Sequence, residues 1–248
     1  MDKTARLQYL EAMGIDIWVS RHPPITMIDH YPETPHSSGE TSPDAHHRVS
    51  VRQDMADSNS LDTNETRWSA LQQLVSSCRN CTLCETRTQT VFGVGSHHAT
   101  WMLIGEAPGQ DEDLQGEPFV GKAGQLLNEM LRAIGLKREA VYIANMLKCR
   151  PPRNRDPEAG EIAACSSFLQ QQITLLQPKL ILAVGRIAAQ NLLNTQQSLT
   201  KLRGAQHQLG NTPVVVIHHP AYLLRYPLEK AKAWEDLQFA LSLYNQLK

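Results

Sequence analysis

Four short apolar segments alternate with amphipathic patterns in the second half of the chain. The apolar segments occupy 100–105, 141–147, 179–185 and 214–219. They are rich in aliphatic and β-branched residues without strict polar alternation, which is typical of strands covered on both faces. Helical patterns occupy 124–134, 157–176, 186–193 and 229–247. Repeated strand and helix units predict an α/β fold, a three-layer sandwich around a central, mostly parallel, four-stranded sheet.

Chemically distinctive side chains fall where these strands end. Glu106 follows the first apolar segment, Asn145 lies near the end of the second, and His219 ends the fourth. Ligands of parallel sheets bind beyond the carboxyl ends of the strands. We therefore expect one crevice to collect the three side chains, as a catalytic constellation requires.

The segment 105–127 is dense in glycine, proline and acidic residues, and a helical pattern follows it. Such a constrained connection indicates a functional loop. Phe119 within it either stacks on a ligand or anchors the core. The stretch 116–122 approaches a Walker phosphate loop, but Pro118 removes a cradling amide and Ala123 stands where a magnesium-binding hydroxyl is needed. The sequence thus argues against a nucleoside triphosphatase.

Two further segments indicate contact with a polyanion. The first, 148–155, supplies Lys148, Arg150, Arg153 and Arg155 in a proline-stiffened loop. The second, 218–225, reads HHPAYLLR, an apolar tip that can wedge into a stacked substrate with a terminal arginine near a phosphate. Residues 67–248 contain 19 Lys and Arg against 14 Asp and Glu, whereas residues 1–66 contain 5 against 11. The basic balance of the later part favours a nucleic acid there.

Five cysteines are too few, and odd in number, for a disulfide scaffold. Three of them lie in CRNCTLC, at Cys78, Cys81 and Cys84, and Cys149 and Cys165 follow much later. Zinc or an iron-sulfur cluster can bind such a set. Because a zinc ribbon usually has two close Cys-x-x-Cys knuckles, the spacing favours a cluster.

The chain divides into three parts by composition. Residues 1–21 predict a short helix that ends at Gly14, and residues 22–66 predict an acidic, disordered linker rich in proline, serine and histidine. Residues 67–248 are expected to form the folded domain, whose second helical pattern is predicted to begin with a capping Asp156 and Pro157. Without a long apolar run or a secretory signal, we expect no membrane contact and a bacterial cytoplasmic location.

Several motifs, in the order in which they occur along the chain, resemble those of a known protein family. GEAPGQDEDLQGEPFVGKAG, YIANMLKCRPPRNRDP and HHPAYLLR, with CRNC upstream, closely resemble the family 4 uracil-DNA glycosylases, the iron-sulfur type of the uracil-DNA glycosylase superfamily. The resemblance covers about residues 70–248. It implies the uracil-DNA glycosylase fold in a monofunctional hydrolase. Such an enzyme flips uracil out of single- or double-stranded DNA, cleaves its N-glycosidic bond and leaves an abasic site, the first step of base excision repair.

The resemblance also implies roles for particular residues. A [4Fe-4S] cluster would be held by Cys78, Cys81, Cys149 and Cys165, with Cys84 as a spare thiol. The uracil contacts would be Glu106, Ala107, Pro108, Glu112, Phe119, Asn145 and His219. Of these, Glu106 and His219 would be catalytic, and Glu112 would exclude thymine by crowding the 5-position of the ring. The DNA contacts would be Arg150, Arg153, Arg155, Tyr222, Leu223, Leu224 and Arg225.

Alternatives from other classes stay open at this point. An iron-sulfur or zinc DNA-binding module without catalysis predicts that Glu106, Asn145 and His219 do not share a pocket. A nucleotide-dependent α/β enzyme needs a phosphate cradle that the sequence does not provide. Within the enzyme hypothesis, the acids at 111–113 compete with Glu106 for the catalytic role. We expect a monomer, with the N-terminal segment as a candidate docking site for a replication or repair partner.

Overall fold

The computed structural model describes residues 8, 12–14 and 51–247, and the side chains of 51–62 are not described. The sheet has six strands: β1 (Val94–Gly95), β2 (Trp101–Gly105), β3 (Tyr142–Asn145), β4 (Leu180–Val184), β5 (Gln206–Leu209) and β6 (Thr212–Ile217). Their spatial order is β1-β3-β2-β4-β6-β5. The four central strands are mutually parallel. The edge strands β1 and β5 run antiparallel to their neighbours.

Eight α-helices accompany the sheet within residues 51–247. They are α1 (Val51–Ser76), α2 (Gln110–Gln115), α3 (Lys122–Ala133), α4 (Ala159–Leu176), α5 (Arg186–Leu192), α6 (Leu199–Leu202), α7 (Pro220–Arg225) and α8 (Lys230–Gln246). Short 3₁₀ helices occupy Thr82–Glu85, Arg138–Ala140, Pro152–Asn154 and Pro227–Glu229. Among the described residues, no helix combines the length and the apolar character needed to cross a membrane.

The central strands are buried on both faces, as their apolar sequences predict. On one face, Met102 and Ile104 of β2 share a core with α1, α4 and α5. On the other face, Trp101 and Leu103 of the same strand share a core with α3, α7 and α8. The predicted three-layer α/β sandwich is therefore confirmed.

The sheet is wider than the predicted four strands because both edges carry an additional short strand. β1 has two residues, and its Gly95 adopts φ +124°, a conformation that side chains rarely tolerate. β5 alternates exposed and half-buried positions, because one of its faces meets solvent. Neither strand has the apolar run that identified the central four, so the sequence pattern missed both.

The predicted start of the helix over 157–176 was wrong by two residues. α4 begins at Ala159, and its capping residue is Glu158, whose backbone N–H donates to Glu161 Oε2 at 2.8 Å. Asp156, the predicted cap, instead accepts from Arg186 at 2.9 Å.

The expected domain boundary at residue 67 falls inside α1, which begins at Val51. The polar composition of 51–66 suggested a linker, but this stretch contains no proline and helix formation needs no apolar face there. Residues 22–50 and most of the predicted helix at 1–21 lie outside the described residues. Met13 is described, and its buried side chain packs in the core beside α3, α7 and α8.

Candidate active site

A cleft of about 580 Å³ opens at the carboxyl edge of the parallel strands. Glu106, Asn145 and His219 all line it, although they come from three separate segments. The predicted convergence is confirmed, which counts against a DNA-binding module that has no pocket. Ala107, Pro108, Glu112 and Phe119, the other residues expected to contact uracil, line the same cleft.

Asn145 is fixed by the ends of two parallel strands. It pairs in register with Gly105, and the ladder continues past it, because the Met146 amide donates to Gly105 O at 2.9 Å and the Leu147 amide to Glu106 O at 3.1 Å. Its side chain is 2% exposed, and Oδ1 has no hydrogen-bond partner in the structure. Oδ1 lies over the Cα of Gly105, where any larger residue would collide with it. A buried acceptor left unpaired is costly unless a ligand supplies a donor.

Glu112 organises the loop that carries Phe119. Its carboxylate accepts from the amides of Gly109, Val120 and Gly121 at 3.0–3.1 Å, which closes the first turn of α2 and joins it to the following loop. Glu112 therefore lies at the cleft as predicted, but its oxygens are already engaged by the backbone. The structure assigns it the role of a positioning residue, and its predicted contact with the 5-position of uracil stays a prediction.

Phe119 is both a core residue and a wall of the cleft, so it anchors the core as one alternative expected, and its stacking on a ligand stays a prediction. It is 6% exposed and adopts φ +55°, in the left-handed region that costs free energy for residues with a side chain. Arg138 stabilises this conformation by donating to Pro118 O at 2.6 Å and to Phe119 O at 3.2 Å. The ring lies against Gly105 and 5.6 Å from the His219 ring, centroid to centroid. Sequence reasoning did not identify Arg138, because it lies in a distant 3₁₀ helix.

Burial raises the pKa of Glu106 to about 7, Asp156 raises it further, and Arg186 opposes the rise. Arg186 lines the cleft, and its guanidinium donates to Asp156 at 2.9 Å. A carboxyl group with a pKa near neutral pH is well suited to accept a proton during a reaction. Arg186 and Asp156 are functional candidates that the sequence did not reveal. The one available signal was a cation directly after the strand-ending Gly185.

His219 caps α7 with its ring. Nδ1 accepts from the Ala221 amide at 3.1 Å, so the proton of the neutral ring is on Nε2. Burial lowers the pKa of His219 to about 4, and the charge of Arg225 lowers it further. At neutral pH, His219 is therefore an uncharged hydrogen-bond donor at the cleft.

Three sequence-based assignments need correction. Lys148, expected to contact phosphate, is 1% exposed, with its ammonium group inside the core. Leu223, expected to contact DNA, is 1% exposed and packs against α3 and α8. Asp113, an alternative catalytic acid, is buried and accepts from the Thr88 amide at 3.0 and 3.1 Å. In each case, the local polarity pattern did not reveal which side of the element faces the core.

The other expected DNA contacts are accessible. Arg155, Tyr222 and Arg225 line the cleft, and the exposed Leu224 directly precedes Arg225 in sequence. Arg155 is tied to Glu161 by two hydrogen bonds of 2.9 and 2.6 Å, which offsets much of its charge. Arg150 and Arg153 are on the same loop but outside the cleft lining.

All five cysteines surround one small cavity behind the sheet's carboxyl edge. Cys78, Cys81 and Cys84 come from the segment after α1, Cys149 from the loop after β3, and Cys165 from α4. Within the part of the chain that the structure describes, no three ligand-type side chains surround a single metal-ion position. The structure nevertheless brings the four predicted cluster ligands to one cavity, and Cys84 lies there with them.

Donors and positive charge accompany these sulfur atoms. Arg87 donates to Cys149 Sγ at 2.9 Å, and the Lys148 amide donates to Cys165 Sγ at 3.3 Å. Hydrogen bonds of this kind stabilise ligand sulfur in metal clusters.

The fold and the cleft define an α/β protein with a preformed ligand site at the carboxyl edge of its sheet. The family model described as the uracil DNA glycosylase superfamily matches residues 92–238. The chain belongs to this superfamily, and several of its relatives, at 39–45% identity, are type-4 members.

Three type-4 uracil-DNA glycosylases show the similarity. The one from Archaeoglobus fulgidus is 45% identical over 161 residues, covering 62% of this chain and 81% of the relative. The one from Thermotoga maritima is 43% identical over 165 residues, covering 66% and 86%. The one from Sulfurisphaera tokodaii is 42% identical over 177 residues, covering 68% and 80%.

Proposed function

We propose that this protein excises uracil from DNA by hydrolysis of the N-glycosidic bond. The observation that carries the proposal is the cleft wall formed by Asn145, Phe119 and Gly105, in a member of the uracil DNA glycosylase superfamily. The type-4 relatives are named as uracil-DNA glycosylases, and the match to this chain covers most of their length.

Uracil fits the polarity of this wall. The unpaired Oδ1 of Asn145 needs a donor, and uracil offers its N3–H, whereas the N3 atom of cytosine in DNA carries no hydrogen. The Phe119 ring supplies a face for stacking the base. The backbone hydrogen bonds of Met146 and Leu147, which directly follow Asn145, hold its side chain in this position.

Glu106 and His219 act on opposite charges that develop as the bond breaks. The sugar becomes positive and the departing uracil negative at O2 and N1. The ionised Glu106 carboxylate stabilises the sugar and takes a proton from the attacking water, while Nε2–H of His219 donates to the uracil oxygen. Water supplies the hydroxyl group at C1′ and, through Glu106, the proton that neutralises uracil.

The proposed reaction ends at an abasic site without strand cleavage. Cleavage by the enzyme would need an amine that forms a Schiff base with the sugar. Lys148, three residues after Asn145, has its ammonium group engaged in the core, away from the cleft. This position supports a monofunctional hydrolase.

We also propose that Cys78, Cys81, Cys149 and Cys165 hold a [4Fe-4S] cluster. The residues fit such a group, because the thiols surround one cavity, and N–H donors and two cations lie against them. The cluster would supply a structural tie between the segment after α1, the loop after β3 and α4.

The DNA is proposed to approach along α7. Leu224 is 44% exposed, Tyr222 and Arg225 line the cleft, and all three lie within one helix of six residues. Leu224 can fill the gap left by a flipped uracil, while Arg225 contacts a phosphate.

Strand preference, the monomeric state, a partner for the N-terminal segment and the cytoplasmic location stay predictions.

One experiment tests the proposed activity. The purified protein is incubated with matched oligonucleotides that contain uracil, thymine or cytosine, followed by alkaline cleavage of abasic sites. We expect cleavage only with uracil, a large loss of rate in Asn145→Ala, and weakened discrimination in Asn145→Asp. Asn211→Ala, at an exposed turn far from the cleft, serves as the matched control. Full activity and selectivity in Asn145→Ala would show that the residue does not read the base.

A further inference from the structure

Lys148 places an ammonium group in the core, where charge is expensive. The residue is 1% exposed, and Nζ donates to Asn145 O at 2.9 Å and to Gln172 Oε1 at 2.6 Å. Both acceptors are uncharged, and no carboxylate at these positions offsets the cost of removing the ammonium group from water, which only the neighbouring Cys165 and Cys149 oppose. An apolar side chain would fill this space more cheaply, and the arrangement therefore calls for a role beyond packing.

Gln172 anchors this lysine to the helix behind the sheet. Its Nε2 donates to Phe92 O at 2.9 Å and to the Tyr142 hydroxyl at 3.1 Å, which leaves the amide fully engaged. Gln172 lies in α4, the same helix that carries Cys165. The backbone N–H of Lys148 donates to Cys165 Sγ. One residue thus joins the cysteine-bearing helix to the end of β3.

The contact with Asn145 is made where the strand ladder ends. The peptide groups that follow Asn145 donate to β2 and its extension, and the carbonyl of Asn145 faces the opposite side, toward Lys148. Without that donor, the carbonyl would be buried and unpaired, and its peptide plane would be held on one side only, by the bond from the Met146 amide to Gly105 O, so that it could rotate further than in wild type. A rotation there moves the Asn145 side chain relative to Gly105 and Phe119.

We propose that Lys148, held by Gln172, is a positioning residue that fixes Asn145 for reading uracil. This inference rests on the proposed function. Lys148 does not touch the base and acts only through the Asn145 backbone. Loss of the ammonium group should therefore cost activity only while Asn145 is present.

A double-mutant cycle tests this dependence. Single-turnover rates on a uracil-containing strand are measured for wild type, Lys148→Met, Asn145→Ala and the double variant. We expect Lys148→Met to be at least about tenfold slower than wild type, and to change the rate less than about twofold in the Asn145→Ala background. Iron per protein should stay unchanged, because the backbone donor to Cys165 is retained. Equal fold losses in both backgrounds would overturn the inference.

Tyr142→Phe is the matched control. It removes a partner of Gln172 but leaves Lys148 and both of its acceptors in place, so the rate should stay within about twofold of wild type. If Lys148→Met does not fold, Gln172→Met enters the same cycle with the same expected dependence on Asn145. It removes the second acceptor of Lys148 together with the donations to Phe92 O and to the Tyr142 hydroxyl, and Tyr142→Phe controls for the last of these.

A second readout separates this inference from the proposed function. Amide hydrogen exchange of 145–147 should be faster in Lys148→Met than in wild type or Tyr142→Phe, and unchanged exchange would contradict the anchoring. Failure of wild type to release uracil would refute the proposed function. If wild type is active but the rate losses of Lys148→Met and Asn145→Ala are independent of each other, only the role of Lys148 is refuted.

Discussion

Replacement of Glu106 by glutamine should remove both the catalysis and its pH dependence. Glutamine keeps the shape of the side chain but cannot be ionised or accept a proton from water. Burial raises the pKa of Glu106 to about 7, with Asp156 adding to the rise and Arg186 opposing it. The ionised form is the one that stabilises the sugar and activates water.

The size of the effect follows from this pKa. With a pKa of about 7, roughly a tenth of the Glu106 carboxyl is ionised at pH 6 and roughly nine tenths at pH 8. The wild-type single-turnover rate should therefore rise nearly tenfold from pH 6 to pH 8 and then level off. Glu106→Gln should lose on the order of 10²–10⁴ at pH 8 and show no rise. His219, with a pKa of about 4, contributes no titration above pH 6.

Glu106→Gln should also stabilise the folded protein at high pH. The pKa of Glu106 is raised in the folded state, so its stabilising contribution is complete below its unfolded value of about 4.5 and is lost as the pH rises through about 7. Glu106→Gln, which resembles the protonated form, should therefore melt at a higher temperature than wild type at pH 8. The two proteins should approach each other near pH 4.5. Partial exposure of the carboxyl keeps this gain well below the full linkage value.

The assay is alkaline cleavage of a labelled uracil-containing strand under enzyme excess from pH 5.5 to pH 9, with thermal melts at the same pH values. His219→Asn serves as the control, because asparagine can still cap α7 but lacks the imidazole. It should lower the plateau and keep the rise near pH 7. A Glu106→Gln rate within about threefold of wild type, or a persisting rise, would transfer the role to Asp111 or Glu112. Borohydride trapping of a covalent complex would refute hydrolysis itself.

Three further predictions concern the cysteine cavity, the cleft floor and α7. Purified protein should contain iron and absorb visible light. Cys149→Ser should lose iron while Cys84→Ser keeps it, and stoichiometric zinc without iron would contradict the cluster. Gly105→Ala should fold but lose uracil excision, because the added methyl group meets the Phe119 ring and Asn145 Oδ1. Leu223→Ala should cost roughly 2–5 kcal/mol of stability in chemical denaturation. Leu224→Ala should keep its stability and lose more activity on duplex than on single-stranded DNA, and the reverse pattern would refute the assignment of the two leucines.

The local sequence was sufficient to predict the central sheet and several residues of the cleft, Glu106, Asn145 and His219 among them. Strands such as β2 and β4 are apolar throughout because helices cover both of their faces, and that burial is visible in a few consecutive residues. Residues that end or directly follow such strands, like Asn145 and Glu106, must meet at one edge. In a parallel sheet, the positions of strand ends in the sequence therefore predict which residues lie together in a site.

Only the tertiary structure decided the environment of each side chain. Leu223 and Leu224 are identical in the sequence, yet one packs in the core and the other is exposed, because α7 turns a single face toward α3 and α8. Lys148 has the composition of a phosphate contact, but its carbon chain and ammonium group are enclosed by segments that come from as far as Phe92 and Gln172. The near-neutral pKa of Glu106 likewise depends on burial by residues distant in the chain. Burial and electrostatics are sums over spatial neighbours, and a local pattern contains only the neighbours along the chain.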